Sequence, residues 1–358
     1  MTLEEFLNEW NNDSERVLVH TSGSTGTPKP MWVEKRRMEA SARITCDFLG
    51  LKEGDTALLC MSLDYIAGKM MVVRSLVRNL ELIVVEPSGH PLSPQPTPLQ
   101  LPRGGEKNPE QNSPPRGSWR GVGGLGWLAF AAMVPMQVYN SLQVPQERER
   151  LKQIKHLIIG GGAIDEAMAS ELKDFPNCVW STYGMTETLS HIALRRLNGP
   201  EASEWYKPFP SVKISQNEEG CLVIDAPLVC AERLVTNDIV EISEAGFRII
   251  GRKDNVICSG GIKIQAEEVE RILKPYVREP FLITKRKDEK FGEIVVLLTE
   301  SNDLEEVKMA CRQYLPKYWQ PRDYVFAEKI PMTETGKPAR KKAEELLNGE
   351  LRMDNGEL

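Results

Sequence analysis

The N-terminal part of the chain alternates between short apolar runs and stretches with helical spacing. Apolar runs at 17–19, 56–61 and 80–85 are typical of buried strands. Between them, residues 34–49 and 67–78 carry apolar side chains three or four positions apart, which predicts two amphipathic helices. This β-α-β order predicts a layered α/β sheet.

The same alternation returns near residue 130 and then changes character. A strand at 155–159, a helix at 166–175 and a strand from 178 continue the α/β pattern. After that come short apolar runs joined by turns, without helices between them, and these predict an antiparallel β subdomain. The runs are 212–215, 221–224, 239–243 and 247–250.

The last hundred or so residues predict a smaller α+β unit. Helical spacing at 265–273, 303–314 and 339–347 is interleaved with strand patterns at 281–284 and 293–299. Because 358 residues exceed what one core comfortably holds, we expect two domains. The predicted fold class is α/β, with a large N-terminal domain over 1–253 and a small, mobile C-terminal domain over 254–358.

The stretch 91–119 breaks the pattern. It contains eight of the 24 prolines and almost no aliphatic side chains. Such a segment buries too little apolar surface to offset the entropy of ordering it. We therefore predict a flexible insertion without chemistry of its own.

Composition narrows the functional classes. A net charge of −6 argues against a general nucleic-acid binder. The N-terminus lacks a signal-peptide core, and no apolar run has the ~20 residues that a membrane helix needs. Seven scattered cysteines and four scattered histidines predict reduced thiols and no metal cluster. We expect a cytoplasmic protein, and a homodimer is left open.

The stretch 21–29 is the first candidate site. Between two predicted strands it combines two glycines, several hydroxyl side chains and a lysine, namely Thr21, Ser22, Gly23, Ser24, Thr25, Gly26 and Lys29. Backbone N–H groups of such a loop bind anions, and the lysine adds a mobile positive charge. The spacing is not that of a Walker A loop. A phosphate-binding loop is therefore predicted, with an ordinary Gly/Ser surface turn as the alternative.

Four further motifs follow in a recognisable order. They are Tyr183-Gly-Met-Thr-Glu-Thr, Thr236-Asn-Asp, Gly251-Arg-Lys-Asp with Ser259-Gly-Gly, and Thr335-Gly-Lys. Together with 21–29 they resemble the adenylate-forming superfamily of acyl-CoA synthetases, luciferases and peptide-synthetase adenylation domains. Most members carry a longer region before the phosphate loop, so the chain looks like a trimmed form. Within the superfamily it is most similar to the o-succinylbenzoate–CoA ligases of menaquinone biosynthesis.

The resemblance implies a nucleotide site that holds ATP and Mg²⁺. Glu187 resembles the magnesium ligand, and Thr186 would donate to the α-phosphate. Tyr183 would stack on adenine, whereas Asp238 and Arg252 would contact the ribose. The remaining implied AMP- or ATP-binding residues, besides those of 21–29, are Gly160, Gly161, Gly162, Gly184 and Met185. The motif reads Thr-Asn-Asp where Thr-Gly-Asp is usual, which leaves the carboxylate in place.

The resemblance also implies two half-reactions with coenzyme A as co-substrate. Lys337 would stabilise the charge that develops at the α-phosphate during adenylation. The small domain would then rotate about Asp254 to admit the thiol. The implied residues for coenzyme A are Ser259, Gly260, Gly261 and Lys263.

The acid pocket departs from the family pattern. Tyr65 stands where the family often has a histidine, and Arg74 resembles a carboxylate-binding arginine of succinylbenzoate ligases. A plain helix-surface arginine is the alternative for Arg74. The predicted function is an ATP-dependent acid–CoA ligase acting on o-succinylbenzoate. Another acyl- or aryl-CoA ligase and a catalytically weak nucleotide-binding protein are the alternatives.

Overall fold

The computed structural model describes residues 1–20, 30–93, 128–162, 164, 166–333 and 338–348. They form two compact units. The first comprises Met1–Ile214, Ile224–Leu234 and Glu244–Gly246, and the second comprises Ser215–Val223, Val235–Ser243 and Phe247–Leu358. The domain boundary expected at 253/254 stays a prediction.

The described residues contain nine α-helices. They are α1 (Leu3–Asn11), α2 (Lys35–Leu49), α3 (Ile66–Arg78), α4 (Pro135–Gln143), α5 (Pro145–Lys152), α6 (Glu166–Leu172), α7 (Ala266–Leu273), α8 (Leu304–Tyr314) and α9 (Arg340–Leu347). Their ends follow local chemistry. Thr2 and Glu5 form a capping box at the start of α1, and Gly50 ends α2 in the left-handed conformation. None of these helices is long and apolar enough to cross a bilayer.

A seven-stranded sheet in the order β4-β3-β5-β6-β7-β8-β9 is the centre of the first unit. Its strands are β3 (Thr56–Leu59), β4 (Glu81–Val84), β5 (Leu128–Met133), β6 (Ile154–Ile159), β7 (Cys178–Gly184), β8 (His191–Arg196) and β9 (Lys207–Pro208). The strands β3 to β7 pair in parallel, whereas β8 and β9 are antiparallel additions at one edge. Parallel pairs require crossover connections, which here contain α3, α4 with α5, and α6.

The two faces of this sheet are covered by different helices. Side chains of α4, α5 and α6 pack with Leu157, Ile159 and Val179 in one apolar cluster. Because side chains alternate along a strand, Phe130 faces away from Ala131 of that cluster, and Arg74 of α3 lies over its ring. A layered α/β sheet was predicted from the order of the apolar runs and helical stretches, and the structure confirms it.

A separate hairpin flanks residues 21–29. Strand β1 (Arg16–His20) pairs antiparallel with β2 (Pro30–Glu34), with Val17 opposite Val33 and Val19 opposite Met31. The two strands expected on either side of the glycine-rich stretch are therefore present, although the stretch itself lies outside the described residues.

A four-stranded sheet follows, and its order β10-β11-β12-β13 is the order of the chain. Its strands are β10 (Lys213–Gln216), β11 (Cys221–Asp225), β12 (Leu234–Ser243) and β13 (Gly246–Arg252). All four were expected from the apolar runs, but β12 begins five residues earlier than its run predicts. Leu234 and Val235 are separated from the apolar run by the polar Thr236-Asn-Asp, so the run did not mark the start of this strand.

The C-terminal part of the second unit is an α+β assembly, as predicted. Its sheet has the order β15-β14-β17-β16, and β18 adds to β17 in parallel. The strands are β14 (Val256–Ser259), β15 (Ile262–Gln265), β16 (Phe281–Asp288), β17 (Gly292–Thr299) and β18 (Asp323–Phe326). Side chains of α7 and α8 pack with Ile283, Val295 and Leu297 in one core.

Low pH should lower the free energy of unfolding of the first unit through His156 on β6. Burial, and then the positive charges of Lys155 and Arg196, lowers the pKa of His156 to about 4, and its Nδ1 has no partner among the described residues. Because the unfolded chain binds this proton near pH 6.5, stability is lost as the pH falls from 6.5 towards 4. We expect His156 to account for about 1–2 kcal/mol of the loss between pH 7 and pH 5.

Urea unfolding of wild type and His156→Leu at both pH values measures this contribution. The variant should lose less stability on acidification than wild type. An equal loss in both proteins would contradict the assignment.

Candidate active site

Three loops meet at one edge of the seven-stranded sheet. Val134 and Pro135 follow β5, residues 160–162 follow β6, and residues 185–188 follow β7. The carboxyl ends of adjacent parallel strands lie side by side, and this edge is where open α/β sheets bind ligands. The glycines Gly160, Gly161 and Gly162 therefore lie beside the Tyr183 motif. This placement is expected if both belong to one site.

The Tyr183 motif spans the end of β7 and a tight 3₁₀ turn, Thr186–Thr188. The Tyr183 ring is buried, 6.0 Å from the Tyr206 ring centroid to centroid. Gly184 lies at a register shift between β7 and β8. A Cβ at Gly184 would come within 2.2 Å of the Ser190 carbonyl oxygen, so a side chain does not fit there.

The turn contains two buried hydroxyls, those of Thr186 and Thr188, and one exposed carboxylate. Thr186 is buried, and Glu187 is exposed to solvent. No group of three or more His, Cys, Asp or Glu side chains among the described residues could hold a metal ion. Mg²⁺ that bridges nucleotide phosphates needs only one or two protein carboxylates, so Glu187 alone suits that role.

Arg74 of α3 is fully buried, with 2% of its surface exposed, and is therefore not a helix-surface arginine. Its Nη2 donates to Ser190 Oγ at 2.6 Å, and Nη1 lies 3.8 Å from Met71 Sδ. Nε has no acceptor among the described residues, and no described carboxylate pairs with the guanidinium. Burial lowers the pKa of Arg74 to about 10, which still leaves it charged at neutral pH.

Tyr65 and the start of α3 lie at the surface. Tyr65 is the residue before the first turn of α3, and its side chain is 42% exposed. Gly68, in the first turn, lies so close to the Ser62 carbonyl that a Cβ would come within 2.3 Å of its oxygen. The helix that carries Arg74 is therefore seated tightly on the loop after β3.

In the second unit, Arg252 joins two of the predicted residues. Its Nη1 donates to Asp238 at 3.1 Å and its Nη2 to Asp254 at 2.9 Å. The amide of Asn237 also donates to Asp254, at 3.2 and 3.3 Å. The structure thus brings the expected ribose ligands and the expected hinge residue into one charged cluster.

The residues expected at coenzyme A form a hairpin tip. Ser259 pairs with Ile262, so Gly260 and Gly261 are the two turn residues between β14 and β15. Both have positive φ, of 58° and 84°, which a type I′ turn requires and glycine supplies without strain. Lys263 is exposed beside them.

Several predicted features lie outside the described residues. They are the phosphate loop with Thr21, Ser22, Gly23, Ser24, Thr25, Gly26 and Lys29, the lysine Lys337, and the insertion beyond residue 93. Their roles stay predictions. All seven cysteines do lie in the described part and have free thiols, as expected.

Sequence reasoning missed Ser190, His191 and Thr45. His191 Nδ1 lies 3.2 Å from Ser190 Oγ, and its Nε2 lies 3.1 Å from Thr45 Oγ1. Burial, and secondarily the charge of Arg74, holds the pKa of His191 well below its usual value. A polar pair one residue beyond the Tyr183 motif, at the start of an apolar strand, was the available signal.

The architecture, a large layered α/β unit and a second α+β unit, is that of the solved adenylate-forming enzymes to which this chain is similar. No family model matches the chain. Solved structures of similar fold include o-succinylbenzoate CoA synthetase of Bacillus subtilis with an acyl-adenylate, at TM-score 0.70 and 21% identity over 95% of this chain and 70% of that one. ATP-bound MatB of Rhodopseudomonas palustris gives TM-score 0.72 at 16% identity, over 92% and 67% of the two chains.

More specific evidence comes from a nearly full-length match. An acyl-CoA synthetase (AMP-forming)/AMP-acid ligase II-like protein of Dyadobacter fermentans is 32% identical, over 94% of this chain and 91% of that one, with TM-score 0.60. The chain therefore belongs to the family of AMP-forming acyl-CoA synthetases, which are acid–thiol ligases. The 2-succinylbenzoate–CoA ligase of Listeria monocytogenes is 24% identical over 95% of this chain and 72% of its own length. A Geobacillus protein of that name is likewise 24% identical.

Proposed function

We propose that this acid–CoA ligase joins o-succinylbenzoate to coenzyme A at the expense of ATP. A carboxylate oxygen of the acid attacks the α-phosphorus, and pyrophosphate leaves. The thiol of coenzyme A then attacks the acyl carbon, and AMP leaves. Positioning and charge stabilisation are the main tasks of a protein in such phosphoryl chemistry.

The observation that carries the choice of acid is Arg74. A guanidinium buried without a carboxylate partner costs free energy, and its unsatisfied Nε–H adds about 1–3 kcal/mol. A substrate with a second carboxylate would relieve both costs, because arginine binds carboxylates with paired, charge-assisted hydrogen bonds. The relatives named 2-succinylbenzoate–CoA ligase support a dicarboxylate of this type.

The nucleotide would lie at the carboxyl edge of the seven-stranded sheet. Thr186 would donate to the α-phosphate, and residues 160–162 would line the adenine. Glu187 would hold Mg²⁺, which offsets the negative charge of the phosphates when bound. By the resemblance of their motifs, Asp238 and Arg252 would contact the ribose.

The identity of the acid substrate is tested by ATP–pyrophosphate exchange and thioester formation with a panel of acids. We expect o-succinylbenzoate to exceed the analogue that keeps the reacting carboxylate but lacks the second one by about a hundredfold in kcat/KM, the effect of one lost charged contact. The analogue that lacks the reacting carboxylate should not be adenylated. Faster turnover of a monocarboxylic acid would favour another aryl- or acyl-CoA ligase. Absence of exchange with every acid would favour a nucleotide-binding protein.

Arg74→Met tests the residue directly. It should lower kcat/KM for o-succinylbenzoate by about a hundredfold while changing the slow turnover of the analogue without the second carboxylate much less. Arg78→Met, one helical turn along on the same helix, is the matched control. Arg78 pairs with Asp47 near the surface, so its loss should leave acid discrimination intact. Equal losses for both acids would contradict the role of Arg74.

A further inference from the structure

A continuous set of hydrogen bonds joins Arg74 to the turn that carries Glu187. Arg74 Nη2 donates to Ser190 Oγ at 2.6 Å. The carbonyl oxygen of the same Ser190 lies 2.8 Å from Thr188 Oγ1, which is fully buried. Thr188 Oγ1 also accepts the Met185 N–H at 3.1 Å and lies 3.0 Å from the Met185 carbonyl oxygen, which shares its single hydrogen with the Ser190 carbonyl oxygen. This hydroxyl therefore ties Met185 to Ser190 across the turn.

The segment between these contacts is strained. Leu189, between Thr188 and Ser190, has φ 65°, in a region that residues other than glycine rarely adopt. Its side chain is buried, so packing compensates for the backbone strain. Strain of this kind costs on the order of 1–3 kcal/mol and persists only where the surroundings hold it. The position of Ser190 is therefore one of the constraints on the turn that carries Thr186 and Glu187.

Few contacts fix the orientation of the Arg74 guanidinium. Its only oxygen acceptor among the described residues is the Ser190 hydroxyl, and Nε is unsatisfied. A carboxylate bound to the guanidinium would fix its orientation and, through Ser190, the geometry of the turn.

We infer that Ser190 couples binding of the second carboxylate at Arg74 to binding of Mg²⁺–ATP at the Thr186–Thr188 turn. The inference rests on the proposed function, because it takes the acid and the nucleotide from it. Each ligand orders the same few residues, so the first to bind lowers the cost for the second. Thermodynamic linkage makes the effect reciprocal, so each ligand lowers the Kd of the other by the same factor.

The experiment measures that factor by isothermal titration calorimetry. The nucleotide is α,β-methylene-ATP with Mg²⁺, because its α–β bridge blocks release of pyrophosphate. Its Kd is measured with and without saturating o-succinylbenzoate, and the titration is then repeated in the reverse order. We expect wild type to bind the nucleotide at least about fivefold more tightly in the presence of the acid. The monocarboxylate analogue that cannot reach Arg74 should give a factor near one.

Three variants separate coupling from folding. Ser190→Ala should still bind each ligand but bring the factor down to less than about twofold. Ser190→Thr keeps the hydroxyl and should restore it, and it also tests the role if the alanine variant fails to fold. Ser181→Ala removes a hydroxyl from β7 that bonds Tyr206 and not Arg74, so it should keep the wild-type factor.

The outcomes separate a failure of this inference from a failure of the proposed function on which it rests. Wild type that binds both ligands independently would overturn the coupling and leave the proposed acid standing. Full coupling in Ser190→Ala would overturn the role of Ser190. Failure of o-succinylbenzoate to bind at all would overturn the proposed acid, and the coupling with it.

Discussion

Lys337→Ala is expected to lower acyl-adenylate formation by about 10²–10³-fold, the typical effect of removing one group that stabilises transition-state charge. Thioester formation from supplied acyl-adenylate should change only a few-fold. The lysine would act on charge that develops at the α-phosphate, and this charge is absent when the thiol attacks the acyl carbon. ATP–pyrophosphate exchange measures the first half-reaction, and single-turnover thioester formation measures the second.

Lys341→Ala is the control for this experiment. Lys341 lies on α9 with its side chain 82% exposed, and its ammonium lies 3.9 Å from the carboxylate of Glu345. Exposed pairs of this kind contribute little, so both half-reactions should proceed as in wild type. Equal losses of both half-reactions in Lys337→Ala would show that the proposed division of labour is wrong.

Gly184→Ala is expected to have the second largest effect. Its Cβ would lie 2.2 Å from the Ser190 carbonyl oxygen and 2.5 Å from His191 Cα, and neither backbone atom can move without shifting β8. Such overpacking costs about 1–3 kcal/mol of stability. A displacement of about 1 Å in the Thr186–Glu187 turn should also cost about a hundredfold in adenylation. Urea unfolding and pyrophosphate exchange measure the two effects.

Gly89→Ala provides the comparison. A Cβ at Gly89 would meet only the amide of the Asn140 side chain, at 2.7 Å, and a side chain can rotate away. This variant should remain within about 1 kcal/mol of wild type and keep its activity. If Gly184→Ala is equally well tolerated, the turn does not depend on close contact with Ser190.

Much of the fold could be predicted from local pattern. Helices α2 and α3 and strands β3 and β4 lie within one or two residues of their predicted bounds, because the run or spacing of their apolar side chains records their burial. Short, partly exposed strands left a weaker record. Strands β14 and β15 have four residues each and escaped prediction, because each has only one buried position. The glycine pair between them was assigned to coenzyme A and not recognised as a hairpin turn.

The sequence by itself determined the family motifs and the layered α/β architecture, because both depend on neighbours along the chain. It did not decide whether Arg74 is a helix-surface arginine or one that binds the carboxylate of the substrate. Only the tertiary structure buried that guanidinium over Phe130 and against Ser190, which lies 116 residues further along the chain. The reason is physical. Burial and pairing of a charge depend on which distant segments pack around it, and no local period encodes that choice.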